Sequence, residues 1–124
     1  MLGNVLMVAI GGALGALARY GLGIAVFRLT GPGFPLGAMT ANVIGSFLMG
    51  VFVVLAAQRG LTHLSPFVMT GLLGGFTTFS AFSLETMTLL ERGDWGQAAA
   101  YVVLSVGLSV GGLALGLLLA RSLA

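Results

Sequence analysis

Four long apolar stretches dominate the chain, and short polar segments rich in turn-forming residues separate them. The stretches cover residues 2–26, 36–58, 66–90 and 97–120. A membrane-spanning helix needs about 20 predominantly apolar residues, and each stretch is long enough for one. The connections FRLTGPGFP, RGLTHLS and ERGDWG hold most of the charged residues and are too short for a soluble domain. The pattern therefore predicts an all-α membrane protein with one domain of four transmembrane helices over residues 1–124.

The third stretch contains an unusual segment, GLLGGFTTFSAFSLE, in which glycines and hydroxyl side chains lie among three phenylalanines. Gly74 and Gly75 are adjacent in its middle, with Thr77 and Thr78 shortly after them, and we expect the helix to break in this part. Each unsatisfied N–H or C=O group in hydrocarbon costs several kcal/mol, so a broken backbone at bilayer depth must be buried in protein or line a watery cavity. The segment therefore predicts a third helix broken mid-membrane, and it marks a functional centre.

The composition agrees with a membrane location and excludes several classes of site. Hydrophobic residues make up 58% of the chain and charged residues 6%. The absence of cysteine excludes disulfides and thiolate metal sites. The net charge is +2, and the scattered arginines do not form the basic patch that nucleic acid needs. We therefore expect membrane lipid around the protein and no nucleic-acid partner.

The arginines near the span ends give no clear orientation in the membrane. With four spans, both termini and the second connection lie on one side with Arg59 and Arg121, whereas the opposite side holds Arg28 and Arg92. Orientation is set by the Lys/Arg bias of short loops, and here the two sides balance. The balance predicts insertion in both orientations. Two opposed copies would then form an antiparallel homodimer about a two-fold axis in the membrane plane.

Small residues recur every four positions along three of the spans. In lipid, helices associate by packing and hydrogen bonding, and small residues let backbones approach closely. We expect these stripes to be packing faces that leave no wide pore within one subunit, so a permeation pathway would lie at a subunit boundary. The stripes include Gly11, Gly15 and Gly23 in the first span, Gly37, Ala41 and Gly45 in the second, and Gly107 with Gly111 and Gly112 with Gly116 in the fourth.

Neutral polar side chains lie inside the second and fourth spans. Asn42, with Ser46 one turn later, must face protein or water, because its amide would be poorly satisfied against lipid. A helix–helix hydrogen bond and a role in binding a ligand are both open. Tyr101, Ser105 and Ser109 follow one another at four-residue intervals and place their hydroxyls on one face. They form either a polar track or a row of hydroxyls that bond back to their own helix.

Three aromatic residues of the third span, Phe76, Phe79 and Phe82, would share one side of a continuous helix. Such spacing is usual for packing. Ring edges, however, carry the positive part of the aromatic quadrupole, and the neighbouring hydroxyls suit a small anion. Carbonyl groups released at the predicted helix break would suit a cation instead.

Two ionisable residues, Arg19 and Glu85, lie well inside apolar spans. A charge at the centre of a span costs about 2.5–3.5 kcal/mol, so each needs a partner, an aqueous vestibule or the membrane interface. Arg19 either extends to the interface or contacts backbone carbonyls. Glu85 follows the predicted break and is expected at the mouth of a vestibule.

Three segments together resemble the small fluoride channel family known as Fluc or CrcB: GGALGALARY, GAMTANVIGSFLMG and, above all, GLLGGFTTFSAFSLE. The resemblance extends over essentially the whole chain. It implies a dual-topology antiparallel homodimer in the inner membrane of a bacterial cell. It also implies two fluoride pores that export the ion passively.

The resemblance also assigns roles to single residues. It implies that the carbonyls of Gly74 and Thr77, two from each subunit, hold a central structural sodium ion. Arg19 matches the helix-one arginine of the family, and Glu85 matches its acidic residue near the pore mouth. Where the family pattern favours threonine four residues before the asparagine, this chain has Ala38, and Thr40 lies two residues before it. The implied pore residues are Asn42, Phe79, Phe82, Ser80, Tyr101, Ser105 and Ser109.

Other classes of function require residues or surfaces that differ from those of a channel. A small multidrug-resistance exporter is also a four-span protein with short loops, but its proton-coupled antiport uses a carboxylate in helix one, where this chain has Arg19 and no acid. A structural or assembly subunit would use the polar segment only as an interface. Enzymatic function is not expected, because no Ser/His/acid set, metal-ligand cluster or phosphate loop is present.

Overall fold

The architecture is helical throughout the described part of the chain. A computed structural model describes residues 1–123 and contains no strand among them. The long helices are α1 (Leu2–Thr30), α2 (Leu36–Arg59) and, last in the chain, α5 (Trp95–Leu123). These three helices and the span between α2 and α5 are each long and apolar enough to cross a membrane. The prediction of four transmembrane spans is confirmed.

The third span is built from several helical pieces. It begins with a single 3₁₀ turn and continues as a wide, π-helical segment before it narrows to α-helix. In chain order, the pieces are the 3₁₀ turn Thr62–Leu64, the π-helical segment Pro66–Leu73, α3 (Gly74–Phe76) and α4 (Phe79–Glu91).

The backbone of the third span leaves the helical conformation at Thr77 and Thr78. Thr77 has φ −91° and ψ 160°, and Thr78 has φ −152° and ψ 125°, so both are extended. Gly74, by contrast, is helical with φ −62° and ψ −38°. The break therefore lies within the predicted segment, but it follows the glycine pair and does not fall on it. The extended region suits β-branched threonine, whose side chain is stiff in a helix, and the glycines have another use.

Gly75 lets the third span pack directly on the backbone of α1. A Cβ atom on Gly75 would lie 2.7 Å from the carbonyl oxygen of Gly12. From the opposite side, a Cβ on Gly15 would meet the carbonyl oxygen of Leu72, and it would lie 2.8 Å from the backbone nitrogen of Phe76. Close approach, and not a change of backbone direction, requires glycine at these positions. The close approach of α1 and the third span brings the break beside α2.

The other predicted small-residue stripes divide into two groups. The backbones of α2 and α5 approach closely at Gly116, where an added Cβ would meet the carbonyl oxygen of Phe47. The prediction of a packing face is confirmed there, and for Gly11 and Gly15 on α1. Gly107 and Gly111 have no neighbour within 4 Å of an added Cβ, so they are not packing positions within one chain.

Large apolar side chains cover the outside of the helices, while the buried core is small. The core cluster near one end of the molecule contains Met39, Leu89, Ala98 and Tyr101, with the partly buried Phe34 packed against it. Many leucines, valines and isoleucines of α1 and α5 are exposed in the single chain. An apolar exterior of this kind is what a lipid solvent requires.

Replacing Gly15 with alanine should destabilise the packing of α1 on the third span. The added methyl would overlap the backbone of Leu72, and overpacking of this kind costs about 1–3 kcal/mol. The matched control is Gly12→Ala, because a Cβ on Gly12 meets nothing within 4 Å. Reversible SDS unfolding in detergent micelles, followed by the fluorescence of Trp95, would measure both. Equal unfolding midpoints for the two variants would contradict the close-packing account.

Candidate functional site: the helix break and its groove

Asn42 of α2 holds the break of the third span with two hydrogen bonds. Its side-chain oxygen accepts from the backbone N–H of Thr78 at 2.7 Å. Its side-chain nitrogen donates to the carbonyl of the same residue at 3.0 Å. The amide therefore replaces helix bonds that the extended backbone has lost. Of the two possibilities left open for Asn42, a helix–helix hydrogen bond is confirmed.

The hydroxyl of Thr78 caps the N-terminus of α4. It accepts from the N–H of Ala81 at 3.2 Å and lies 3.3 Å from the hydroxyl of Ser80. Capping satisfies one of the free N–H groups at a helix start, and the helix dipole gives that end a partial positive charge. The break thus presents the N-terminus of a helix at the level of Asn42.

Carbonyl groups are left free where the first half of the third span ends. The N–H and the hydroxyl of Thr77 both donate back to the carbonyl of Leu73, at 3.0 and 2.9 Å. The N–H of Thr78, which would bond to Gly74 in a continuous helix, is taken by Asn42. Within residues 1–123, no group donates to the carbonyls of Gly74 or Thr77. Two neutral oxygens at the break are therefore available to a ligand.

Arg19 of α1 reaches the same region from the other side. Its Nε donates to the carbonyl of Gly75 at 3.2 Å. One of its two predicted environments, contact with a backbone carbonyl, is thereby confirmed. This bond holds one of the carbonyls near the break and leaves that of the neighbouring Gly74 free. The guanidinium does not line the groove described next.

A groove of about 360 Å³ opens at the break, between α2, α4 and α5. It contains the amide of Asn42, the rings of Phe79 and Phe82, and several hydroxyl groups, and no charged side chain lines it. Phe79 is 77% exposed, so one side of the groove is open in the single chain. The lining residues are Asn42, Gly45, Ser46, Met49, Thr77, Thr78, Phe79, Phe82, Ser105, Val106, Ser109, Val110 and Leu113.

The phenylalanines of the third span do not form the predicted single row. Phe79 and Phe82 lie together, with ring centroids 5.4 Å apart and planes tilted by 44°. Phe76 precedes the break, and it does not line the groove. The three rings would share one side only in a continuous helix, and the backbone is not helical at Thr77 and Thr78. The break separates Phe76 from the other two.

Tyr101 and Glu85 form a hydrogen-bonded pair beside the groove. The hydroxyl of Tyr101 donates to Oε2 of Glu85 at 2.6 Å. Tyr101 is fully buried, and its ring stacks on Phe82 with centroids 5.4 Å apart. Neither Tyr101 nor Glu85 lines the groove itself, but Phe82 does. The pair therefore contacts the groove through the ring of Phe82.

The remaining predicted pore residues differ in their positions. Ser105 is buried, and its hydroxyl finds no hydrogen-bond partner among residues 1–123, although it lines the groove with Ser109. It does not bond back to its own helix, which favours the polar-track alternative. Ser80 is exposed beside Thr78 and lies outside the groove. Neither Ala38 nor Thr40 lines the groove, so the departure from the family pattern does not change its surface.

The sequence reasoning missed some residues around the site. Gly45 and Met49 line the groove on the face of α2 that carries Asn42, and their spacing from it could have indicated this. Phe34, in the connection before α2, packs on Tyr101. The sequence signal for this contact was the position of an aromatic residue between glycine and proline in a turn.

Comparison with known proteins agrees with the resemblance in the sequence. Residues 6–117 match the family described as CrcB-like protein, Camphor Resistance (CrcB). The chain belongs to this CrcB-like family. The match covers all four spans, including the helix break and Asn42.

Relatives of this CrcB-like chain carry channel names. It is 66% identical to the Fluoride-specific ion channel FluC of Ruegeria sp. over 98% of this chain and 97% of that protein. It is 68% identical to the Fluoride-specific ion channel FluC of Roseobacter denitrificans over 95% of each. The protein of the same name from Agrobacterium fabrum is 45% identical over 97% of this chain and 98% of that one. The expectation that the chain is not an enzyme is confirmed, since these relatives are ion channels.

Replacing Asn42 with leucine should loosen the break. The variant leaves the N–H and carbonyl of Thr78 without partners, and each buried unsatisfied group costs about 1–3 kcal/mol. Hydrogen exchange of the amides around Thr78, read by mass spectrometry in micelles, should become faster. Ser46→Ala is the matched control, because it changes a neighbouring polar side chain and keeps both bonds. Unchanged exchange in the leucine variant would show that Asn42 does not hold the break.

Proposed function

We propose that this CrcB-like chain forms a fluoride-selective passive channel in the inner membrane of a bacterial cell. The names of its relatives support this assignment. The observation that carries it is the composition of the groove at the helix break, which combines an amide, hydroxyls and aromatic rings without any charged side chain. Neutral groups such as these can interact with an anion without holding it permanently.

The chemistry of the groove fits fluoride. Fluoride is small and tightly hydrated, so a selective path must replace its water with closely placed donors. Hydroxyls of Ser105 and Ser109 and the edges of Phe79 and Phe82 supply such groups along one side. A fixed positive charge in the path would trap the ion, and the one arginine near the break is occupied with the Gly75 carbonyl. Flux through such a path follows the fluoride gradient.

The unit we propose is an antiparallel homodimer with two pores. The groove of one chain is open, and Phe79, Gly74 and Ser80 are exposed beside it. An exposed helix break is not compatible with lipid, because its free carbonyls need partners. A second, inverted copy would cover this face, and each of two grooves would then become one side of a pore. The balance of arginines at the two membrane sides supports the inverted arrangement.

We further propose a structural sodium ion on the axis of this dimer. The free carbonyls of Gly74 and Thr77 are hard, neutral oxygen ligands, which suit a monovalent cation. Two oxygens from each subunit would give four ligands from the protein. No cluster of three or more His, Cys, Asp or Glu residues that could hold a metal is found within residues 1–123. When bound, the ion supplies a positive charge that lowers the cost of an anion nearby.

Replacing Phe79 or Phe82 with isoleucine should reduce fluoride flux at least tenfold, a change of about 1.4 kcal/mol or more in the barrier. Isoleucine keeps apolar bulk but removes the aromatic ring, and with it the positive ring edge, from the lining of the groove. Fluoride efflux from liposomes with purified protein, recorded with an ion-selective electrode, would measure the change. Size-exclusion chromatography would verify that the dimer persists.

Phe27→Ile is the matched control for both ring variants. Phe27 lies in α1, is 58% exposed and is not part of the groove. Its substitution should leave fluoride efflux at the level of the unmodified protein. Normal efflux in both the Phe79 and the Phe82 variants would contradict a pore role for the rings. A folded dimer without fluoride efflux in the unmodified protein would favour the assembly-subunit alternative.

Shifting the charge balance should trap one orientation. The variant Thr62→Lys/Ser122→Lys adds charge on the side of Arg59 and Arg121, and Thr30→Lys/Gln97→Lys adds it on the opposite side. Each variant expressed alone should lose fluoride efflux, because it lacks an inverted partner, and expression of both together should restore it. The measurement is efflux from cells together with the accessibility of a C-terminal label. Full efflux from one trapped variant alone would exclude the antiparallel dimer.

A further inference from the structure

Phe34 lies in the tight connection between α1 and α2. Gly31 and Gly33 have φ of 73° and 124°, and Pro32 and Pro35 each have a φ fixed by their ring. The carbonyl of Phe34 accepts from the N–H of Leu36 at 2.9 Å. The turn therefore has little freedom. It directs a half-buried aromatic side chain inward, onto the core cluster that contains Tyr101.

The ring of Phe34 contacts the ring of Tyr101 nearly at a right angle. The centroids lie 5.6 Å apart and the planes are inclined by 82°, which is a favoured arrangement for two aromatic rings. Phe82 stacks on the same ring of Tyr101, with its planes inclined by only 29°. Tyr101 thus contacts both an aromatic ring of the connection and an aromatic ring of the groove.

The hydroxyl of Tyr101 is the one partner found for the Glu85 carboxylate among residues 1–123. The bond is short, at 2.6 Å, as expected for a hydroxyl and a charged acceptor. Its position depends on the orientation of the Tyr101 ring, because the hydroxyl lies at the far end of that ring. The third span has two acids, Glu85 and Glu91, and Glu85 is the one nearer to the groove residues along the chain.

We propose that Phe34 is a positioning residue for fluoride permeation. It fixes the ring of Tyr101 against Phe82, so that the hydroxyl stays on Glu85 and neutralises part of its charge beside the path. A carboxylate without this donor would repel an anion that leaves or enters the groove. Loss of the Phe34 ring frees Tyr101 to rotate, and the bond to Glu85 is then made for only part of the time. This inference rests on the proposed channel function.

The test is a double-substitution cycle between Phe34→Leu and Tyr101→Phe, with fluoride efflux from liposomes as the readout. We expect Phe34→Leu to reduce efflux about two- to tenfold, the range expected for loss of one aromatic contact. In the Tyr101→Phe background, which has no hydroxyl, the same change should have almost no further effect. Phe34→Tyr keeps the ring and should retain efflux. Phe27→Leu, the matched control at the end of α1, should also retain it.

Two results of the cycle would overturn the inference. Equal fold-reductions in both backgrounds would show that Phe34 acts on packing and not through the hydroxyl. Normal efflux in Phe34→Leu would show that the contact is not needed. If the leucine variant fails to give a dimer, Phe34→Met keeps more of the apolar bulk and takes its place in the same cycle.

A measurement without transport separates this inference from the proposed function. The chain has two tyrosines, so 3-fluorotyrosine in a Tyr20→Phe background labels Tyr101 alone. Glu85→Gln defines the ¹⁹F shift that accompanies loss of the charged acceptor. Phe34→Leu should move the signal of Tyr101 in the same direction, and an unmoved signal would overturn the inference. Absence of fluoride efflux from the unmodified protein would instead contradict the proposed function and leave this spectroscopic result valid.

Discussion

Every other feature of the site depends on how the two polar backbone groups of Thr78 are satisfied inside a membrane. An extended residue within a span has lost its helix bonds, and lipid offers none in return. Asn42 supplies both replacements from α2, at 2.7 and 3.0 Å. One amide side chain therefore permits the break. The break, in turn, frees the carbonyls of Gly74 and Thr77 and starts a new helix beside the groove.

The glycine contacts between α1 and the third span place this break where Asn42 can reach it. Backbone-to-backbone packing at Gly15 and Gly75 leaves no side chain between the two helices. Arg19 adds a bond from α1 to the carbonyl of Gly75. The preceding half of the third span is thus held by α1, and the break itself by α2. α5 packs closely on α2 and completes the groove with its own hydroxyl groups.

The sequence predicted the number of spans, and it predicted that the third would break, because both follow from apolar length and from a local excess of glycine and hydroxyl residues. Within that segment, the break follows the glycine pair and does not fall on it. Local composition favoured Gly74 and Gly75, whereas the position is decided by a long-range partner, Asn42, 36 residues earlier than Thr78. The same break separates Phe76 from Phe79 and Phe82.

The surroundings of Tyr101 and Glu85 could not be predicted from local patterns either. Spacing placed Tyr101 on one face with Ser105 and Ser109, but its bond to Glu85 joins two different spans. The contact with Phe34 depends on the path of a connection whose backbone is set by glycines and prolines. Tertiary contacts of this kind have no periodic signal. Asn42, Phe79 and Phe82 were noted for their chemistry, and the resemblance to a family implied their pore roles; the structure brings these three together in one groove.

We propose that the groove of neutral donors at the helix break conducts fluoride and rejects larger anions. The most direct measurement loads liposomes that contain the unmodified, purified protein with both fluoride and chloride, and follows each ion with its own selective electrode. Fluoride should leave the liposomes rapidly down its gradient, while chloride should stay inside until detergent is added. Loss of chloride at a rate similar to that of fluoride, or retention of both ions by a folded protein, would contradict this proposal.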